Sequence, residues 1–324
     1  MSIKSATYAV LGAFCLSLAA TEAAAQAWPT RPIRVVHGFV AGGNVDITAR
    51  VATAPLGEIL GQQVVVEGRP GAGGTVAANV VAKAEPDGYT LFVMASGHSI
   101  SPGLYRSLPY DPVRDFSMVS LISSFPFVIA VAPGNPAKNL ADLIRMARAE
   151  SGRMTLAHAG VGTGMHLSTV LLQARSGIQF NLIPYKGGNL APVSVVQGET
   201  QVVFDTPAGM GSLVSSGKLR PLAVTSAERW KNWPEVPTVA ETVPGYEVRG
   251  WIALAGPKGL PSPVVARLTQ SLHQALARPD VVDRFAQMGT GVAPTQPEAT
   301  QAFLASEVER WTKLIRDEKI PPQE

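Results

Sequence analysis

Two glycine-rich turns hold the residues best suited to chemistry in this chain. The first is Phe39-Val40-Ala41-Gly42-Gly43-Asn44-Val45-Asp46, following the apolar run Ile33-Arg34-Val35-Val36. The second is Gly160-Val161-Gly162-Thr163-Gly164, following Met154-Thr155-Leu156-Ala157. In each case a short apolar run reads as a buried strand, glycines break it, and a helical apolar pattern comes next. A strand, a glycine turn and a helix N-terminus together make an anion site. The first helical amides have no internal partner, and the helix dipole adds about half a positive charge there. An ordinary strand-to-helix turn has the same composition, so other parts of the chain must decide between the two readings.

The candidate ligand contacts follow from these turns. Phe39, Val40, Ala41, Gly42, Gly43 and Asn44 surround the first one. Asn44 serves equally well as a helix N-cap. Asp46 is also a candidate, although it stands four residues before Arg50 and can pair with it along the helix. Arg50 lies more than a turn inside and is not assigned as an anion clamp. Ser96, Gly97 and His98 follow the apolar run Tyr89 to Met94 and close the same side. In the second series, Gly162, Thr163 and Gly164 mirror the first turn, and His166 lies just inside the helix, where a packing role is the usual one. Tyr185 is a further contact; Lys186 beside it also reads as a surface charge. Asp205 directly follows the strand Val202-Val203-Phe204, where it either caps the next segment or accepts from a donor on the ligand.

Other chemistries find less support. The five histidines form no HExxH pair, so a metal site is not expected. No G-x-S-x-G elbow exists, and no Ser–His–Asp set can be assigned. No cofactor is expected, and the chain is not read as an enzyme. Basic residues are dispersed, without the basic stripe and stacking aromatics of a nucleic-acid groove.

The N-terminus reads as a signal peptide over residues 1–25. Lys4 supplies the positive region, Tyr8 to Ala20 the apolar one, and the small residues at 25–27 the cleavage site. The only cysteine, Cys15, lies inside it, preceded by Phe14 where lipidation needs a small residue. The mature chain therefore has no disulfide or thiolate chemistry, which suits an exported protein stabilised by its core alone. The net charge of +3 survives cleavage, since Lys4 and Glu22 cancel.

Roughly 300 mature residues exceed one typical core, and two domains are expected. Strands at 33–36, 63–66 and 89–94 alternate with helical patterns, as do those at 154–157, 180–183, 202–204 and 222–224. This repeated βαβ order implies α/β architecture, each half a mostly parallel sheet flanked by helices. Ligands in such sheets bind beyond the carboxyl ends of the strands, where the candidate turns lie. Residues 26–125 with 249–324 form one expected lobe and 126–248 the other. Crossings near 123–133 and 247–257 form a hinge, and a helical tail returns to the first lobe.

With these elements in place, the chain resembles the Bug-type receptors of tripartite tricarboxylate transporters over essentially its whole mature length. The motifs are Gly42-Gly43-Asn44-Val45-Asp46-Ile47-Thr48-Ala49-Arg50, Pro86-Asp87-Gly88-Tyr89-Thr90, Leu108-Pro109-Tyr110-Asp111-Pro112 and Pro184-Tyr185-Lys186-Gly187-Gly188. Later come Gly217 to Thr225, Val236 to Glu241 and Pro244-Gly245-Tyr246. The resemblance implies a type II-like, two-lobe periplasmic-binding-protein fold. It implies a monomeric solute-binding protein that captures a small organic carboxylate and passes it to membrane transporter subunits. A receptor that signals through a membrane sensor, or a small-acid hydrolase, would be the alternative. Departures from the pattern are Gly38, Val40 and Ala41 in place of a proline-rich approach, and His37, His98 and His158 at strand positions. These bear on the ligand, not on the fold.

Overall fold

The structure is a computed structural model that describes residues 28–187 and 190–322. The expected signal segment, Cys15 and Gly188 of the Pro184–Gly188 motif lie outside the described residues. The first half runs β1 (Ile33–His37), α1 (Asn44–Leu60), β2 (Val64–Gly68), α2 (Thr75–Ala82), β3 (Thr90–Ala95), α3 (Gly97–Leu104) and β4 (Phe116–Pro126). The chain then crosses into β5 (Val128–Val131), α4 (Leu140–Glu150), β6 (Thr155–His158), α5 (Gly164–Ser176) and β7 (Asn181–Pro184). After these come α6 (Leu190–Val196), β8 (Val202–Asp205), α7 (Pro207–Ser215) and β9 (Arg220–Val224). It returns through β10 (Arg249–Pro257), α8 (Ser262–Leu276), α9 (Pro279–Gln287), β11 (Gly291–Val292) and α10 (Pro297–Asp317).

Two sheets result, ordered β11-β4-β10-β3-β1-β2 and β7-β6-β8-β5-β9. The core order is the same in both. A parallel trio (β2-β1-β3 or β7-β6-β8) meets one reversed strand, then a strand beyond it. The reversed strands are β10 and β5, which adjoin the two crossings between halves. Most strands of each sheet thus run one way, with an antiparallel strand inserted where the chain changes sheet and β11 added antiparallel at the edge of the first. β1 and β8 are buried almost throughout, as strands covered on both faces must be.

Local sequence explains the helices. In α4, Asn139 caps by accepting from the Asp142 amide, and Leu140, Leu143, Ile144 and Ala147 form the buried face. α1 ends on Gly61 in the left-handed conformation (φ 70°), which releases the chain towards β2. The terminal helices return to the first sheet: α8 packs on α1 and β4, and α10 on α3 and β4. α10 buries Trp311, whose indole N–H donates to Glu307, as does that of Trp251 on β10. Burial of each such large side chain contributes roughly 3 kcal/mol.

Thr225 ties the crossings together. Its hydroxyl donates to the Val248 carbonyl (2.7 Å) and accepts from the Phe127 amide (2.8 Å). Its own backbone bonds Phe127 and Val248 as well. The helix α3 directly after Ser96, and the short strand β11, are absent from the sequence reading. Gly103 and Pro102 mask the helical pattern of α3, which is set instead by packing against α10.

Candidate ligand-binding site

A cavity lies between the two sheets, beyond the carboxyl ends of β1, β3, β6 and β8. It offers about 60 Å³ for the centres of water-sized molecules, room for on the order of four waters. Four helices begin at its wall. Gly43, Asn44 and Val45 come from the start of α1, Ser96 and Gly97 from α3, Thr163, Gly164 and Met165 from α5, and Thr206 and Gly209 from α7. Among the described residues, no Lys, Arg or His lines it.

The first turn is held from behind. Asp46 is buried and is used internally: it accepts from the Gly42 amide (2.9 Å), from Arg50 Nε (3.1 Å) and from His37 Nε2 (3.1 Å). His37 Nδ1 accepts from the Phe39 amide, which leaves the proton of the neutral ring on Nε2. Burial drives His37 below its ordinary pKa. Burial alone would raise the Asp46 carboxyl, but Arg50, the Gly42 amide and His37 together hold it below its usual range. Gly42 itself sits at φ 76°, a conformation that L side chains avoid. The turn is thereby fixed, and α1 starts at the cavity wall with its amides at Asn44, Val45 and Asp46 ahead of the first intrahelical bond, Ile47 to Gly43. Gly43 provides no cap side chain. Asn44 lines the wall with both amide atoms buried and unpartnered.

The second turn repeats the geometry, with Gly162 at φ 78°. Here Thr163 is the cap; its hydroxyl accepts from the His166 amide and donates to the Gly160 carbonyl. α7 likewise starts on Thr206, which accepts from the Gly209 amide. Asp205 is 3% exposed. Its Oδ1 accepts from the Thr206 amide at 2.6 Å, while Oδ2 has no partner. Burial pushes its carboxyl up to about 7, against the opposing pull of Thr206.

The halves meet closely around the cavity. A methyl group at Gly97 would come within 3.0 Å of the Gly162 carbonyl oxygen, and one at Gly164 within 2.8 Å of Ser96 Oγ. One at Gly187 would come within 2.9 Å of the Val40 side chain. Only glycine fits at these three places, where the two halves pack against each other beside the cavity.

The structure therefore brings together Phe39, Val40, Gly43, Asn44, Ser96, Gly97, Thr163, Gly164 and Asp205. The remaining expected contacts stand elsewhere. Ala41, Gly42 and Gly162 shape the turns without lining the cavity, and Asp46 is consumed by its internal donors. His98 is a core histidine: it stacks on Tyr110, sits edge-on to Phe116 and bonds the Pro112 carbonyl through Nε2. Burial lowers its pKa to about 4. His166 stacks on His158 at 5.0 Å, and burial lowers both to about 4. Tyr185 lines an adjoining groove with Pro70, Gly71 and Lys186. Sequence reasoning missed Phe125, Phe127, Trp251 and Ile252, which form the apolar floor. They lie in the two crossing segments, and that coincidence was the available signal. Thr206 and Gly209 were missed because the sequence reading weighed Asp205 as the cap of the segment after it, whereas Thr206 is the N-cap of α7.

Comparison with known proteins agrees with this geometry. The family model described as "Tripartite tricarboxylate transporter family receptor" matches residues 48–320. Protein BugT of Bordetella pertussis is 34% identical over 313 residues, 95% of this chain and 96% of that protein. The solved periplasmic binding protein BugD superposes with a TM-score of 0.86 at 34% identity, covering 91% of this chain and all of that one (100%). The R. palustris protein Rpa4515, solved with adipate, gives 0.86 at 33% identity (92% and 100%). MatC from Rhodopseudomonas palustris, with bound malate, gives 0.84 at 31% (89% and 100%).

Proposed function

The chain belongs to the tripartite tricarboxylate transporter receptor family of Bug-type periplasmic binding proteins, and from that premise we propose that it captures a small organic carboxylate by lobe closure. The observation that carries this reading is the convergence of four helix N-termini on one cavity with, among the described residues, no cationic side chain in its wall. Each N-terminus presents unpaired N–H groups and about half a positive charge. A carboxylate there is held by dipoles already in place. The solved relatives with adipate and malate support the ligand class.

Residues 28–126 with 249–322 act as one lobe and 127–248 as the other, and they move about the crossings tied by Thr225. Closure excludes water, so each N–H···O contact is made in a medium of lower dielectric. The ligand favours the closed form only through contacts that are better there than in the open one. Gly97 against Gly162, and Gly164 against Ser96, are the places where lobes without side chains can meet. The monomer is exported by its N-terminal signal, cleaved near residues 25–27, and delivers its ligand to membrane transporter subunits.

A thermal-shift and calorimetric screen of the mature chain against small carboxylates tests the reading. A saturable rise in Tm with one-to-one binding is expected, since a ligand bound only by the native state stabilises it. Consumption of an acid, with no shift by any of them, would overturn it.

A further inference from the structure

His37 ends β1 directly behind the first glycine turn, and it is fully buried. A buried ring with two polar nitrogens needs a partner for each. Both partners belong to the turn. At its entrance the Phe39 amide donates to Nδ1 at 3.3 Å. At its exit Nε2 donates to Asp46 Oδ1 at 3.1 Å, and Asp46 Oδ2 accepts from the Gly42 amide at 2.9 Å. One imidazole thus links Phe39 to Asp46 across the turn, and Phe39, Val40, Gly43 and Asn44 within that span line the cavity.

The ring is confined from the far side. A methyl group at Gly68 would come within 3.2 Å of His37 Cε1, so β2 leaves room for the imidazole and no more. Among the described residues, the charged groups that act on the ring are Asp46 and Arg50, both of α1. Beside Gly68, Glu67 and Arg69 pair with each other, and β3 brings the apolar Val93 as the register partner of His37.

This arrangement works in one protonation state. Neutral His37 accepts at Nδ1 and donates at Nε2. Protonation puts a hydrogen on Nδ1, facing the Phe39 N–H, so the entrance bond is lost and two donors oppose each other. Asp46 keeps its bonds from Gly42 and Arg50. The turn then loses one of its two anchors while β1 stays paired on both sides. Burial, partly offset by Asp46, lowers the pKa of His37 and keeps the ring neutral at ordinary pH.

We propose, on the basis of the receptor reading, that His37 is a positioning residue of the anion site: its neutral ring sets the first glycine turn through both nitrogens, and protonation frees the Phe39 end and weakens carboxylate binding.

Two measurements on the mature chain test this. Heteronuclear NMR reads the ring: at neutral pH Nδ1 should be unprotonated, and on acidification the Phe39 amide should shift with the His37 midpoint. Calorimetry then follows the tightest binder among succinate, glutarate, L-glutamate and benzoate, corrected for the acid's own titration. Affinity should fall by about 10-fold in full as pH drops through that midpoint, the worth of one hydrogen bond. His37→Asn keeps an acceptor for the Phe39 amide, as in an Asx turn, and cannot protonate. It should bind within threefold of the wild type at neutral pH and lose the acid dependence. His37→Gln offers Asp46 a donor and Phe39 nothing. It should bind about 10-fold more weakly at every pH. A Phe39 amide that ignores His37, acid dependence that survives in His37→Asn, or equal losses of Tm and affinity in both variants overturns the proposal and leaves the receptor reading intact. Failure of the wild type to bind any acid of the wider carboxylate screen overturns both.

Discussion

The two lobes share a strand order but start their helices differently over the cavity. In the first lobe, α1 begins at Gly43 and α3 at Ser96, and neither residue gives a side-chain bond to the helix amides. In the second, α5 and α7 begin at Thr163 and Thr206, whose hydroxyls accept from His166 and Gly209. The first lobe therefore keeps more of its donors unspent, at a cost in its own stability. The second satisfies part of its own and contributes an acceptor, Asp205. The same backbone plan thus yields a donor lobe and a mixed lobe, and the difference lies in which residue stands at each N-cap.

The strongest way to break this comparison is to cap the first lobe. Gly43 sits in extended backbone (φ −79°, ψ 168°) that an L residue adopts freely. Gly43→Asp should gain roughly 0.3 kcal/mol of stability from the cap, since Gly is itself a fair N-cap residue. It should weaken carboxylate binding by more than 100-fold, because the new anion takes the ligand's place. Calorimetry and thermal melting of one preparation read both effects. Loss of the opposition between them would show that α1 is not a donor to the ligand.

Next is closure. Gly97→Val should lower affinity about 100-fold, or roughly 3 kcal/mol, and should also lower the Tm of the free protein. Its side chain would meet the Gly162 carbonyl oxygen of the opposing half and the Gly73 carbonyl oxygen of its own. Scattering with excess ligand should show that the variant stays open.

Asp205→Asn tests the other side through stability alone. The folded carboxyl titrates near 7, well above an ordinary aspartate. The fold therefore favours its protonated form. That contribution is full below pH ~4 and is lost as pH rises through about 7. Asparagine stays neutral, so the free variant should be more stable than the wild type at pH 8, by on the order of 2 kcal/mol, and similar to it at pH 4.

Thr163→Ala should cost about 1 kcal/mol in stability and less than threefold in affinity, the reverse of the pattern at Gly43. The smallest effect concerns acid. His98, His158 and His166 all titrate near 4 when folded, below the ordinary value near 6.5. Their neutral forms stabilise the fold above pH ~6.5, and this is lost as pH falls towards 4. His166→Gln should flatten that loss more than His98→Gln, since protonating His166 also places a charge against His158 at 5.0 Å.

Much of the fold was legible in the sequence because local rules agree with the tertiary result. Short apolar runs marked nearly every strand, glycines marked both turns, and Leu140, Leu143, Ile144 and Ala147 drew α4 in advance. The short α3 was not legible: Gly97, Pro102 and Gly103 give it poor helical character, and tertiary packing, chiefly against α10, maintains it. At the site, residues defined by backbone could be read. Gly42 and Gly162 need positive φ, and a helix start exposes amides whatever surrounds it.

Side-chain direction was decided elsewhere. Asp46, His98 and His166 had the right residue types at the right positions, yet Arg50, the Pro112 carbonyl and His158 claim them. Phe125, Phe127 and Trp251 reach the cavity because two crossing strands, 126 residues apart between Phe125 and Trp251, pair in register there. The sequence by itself determined two glycine turns at helix starts, two alternating series and a family. Only the tertiary structure decided which polar atoms remain unspent once every neighbour has taken its share, since that depends on partners far away along the chain.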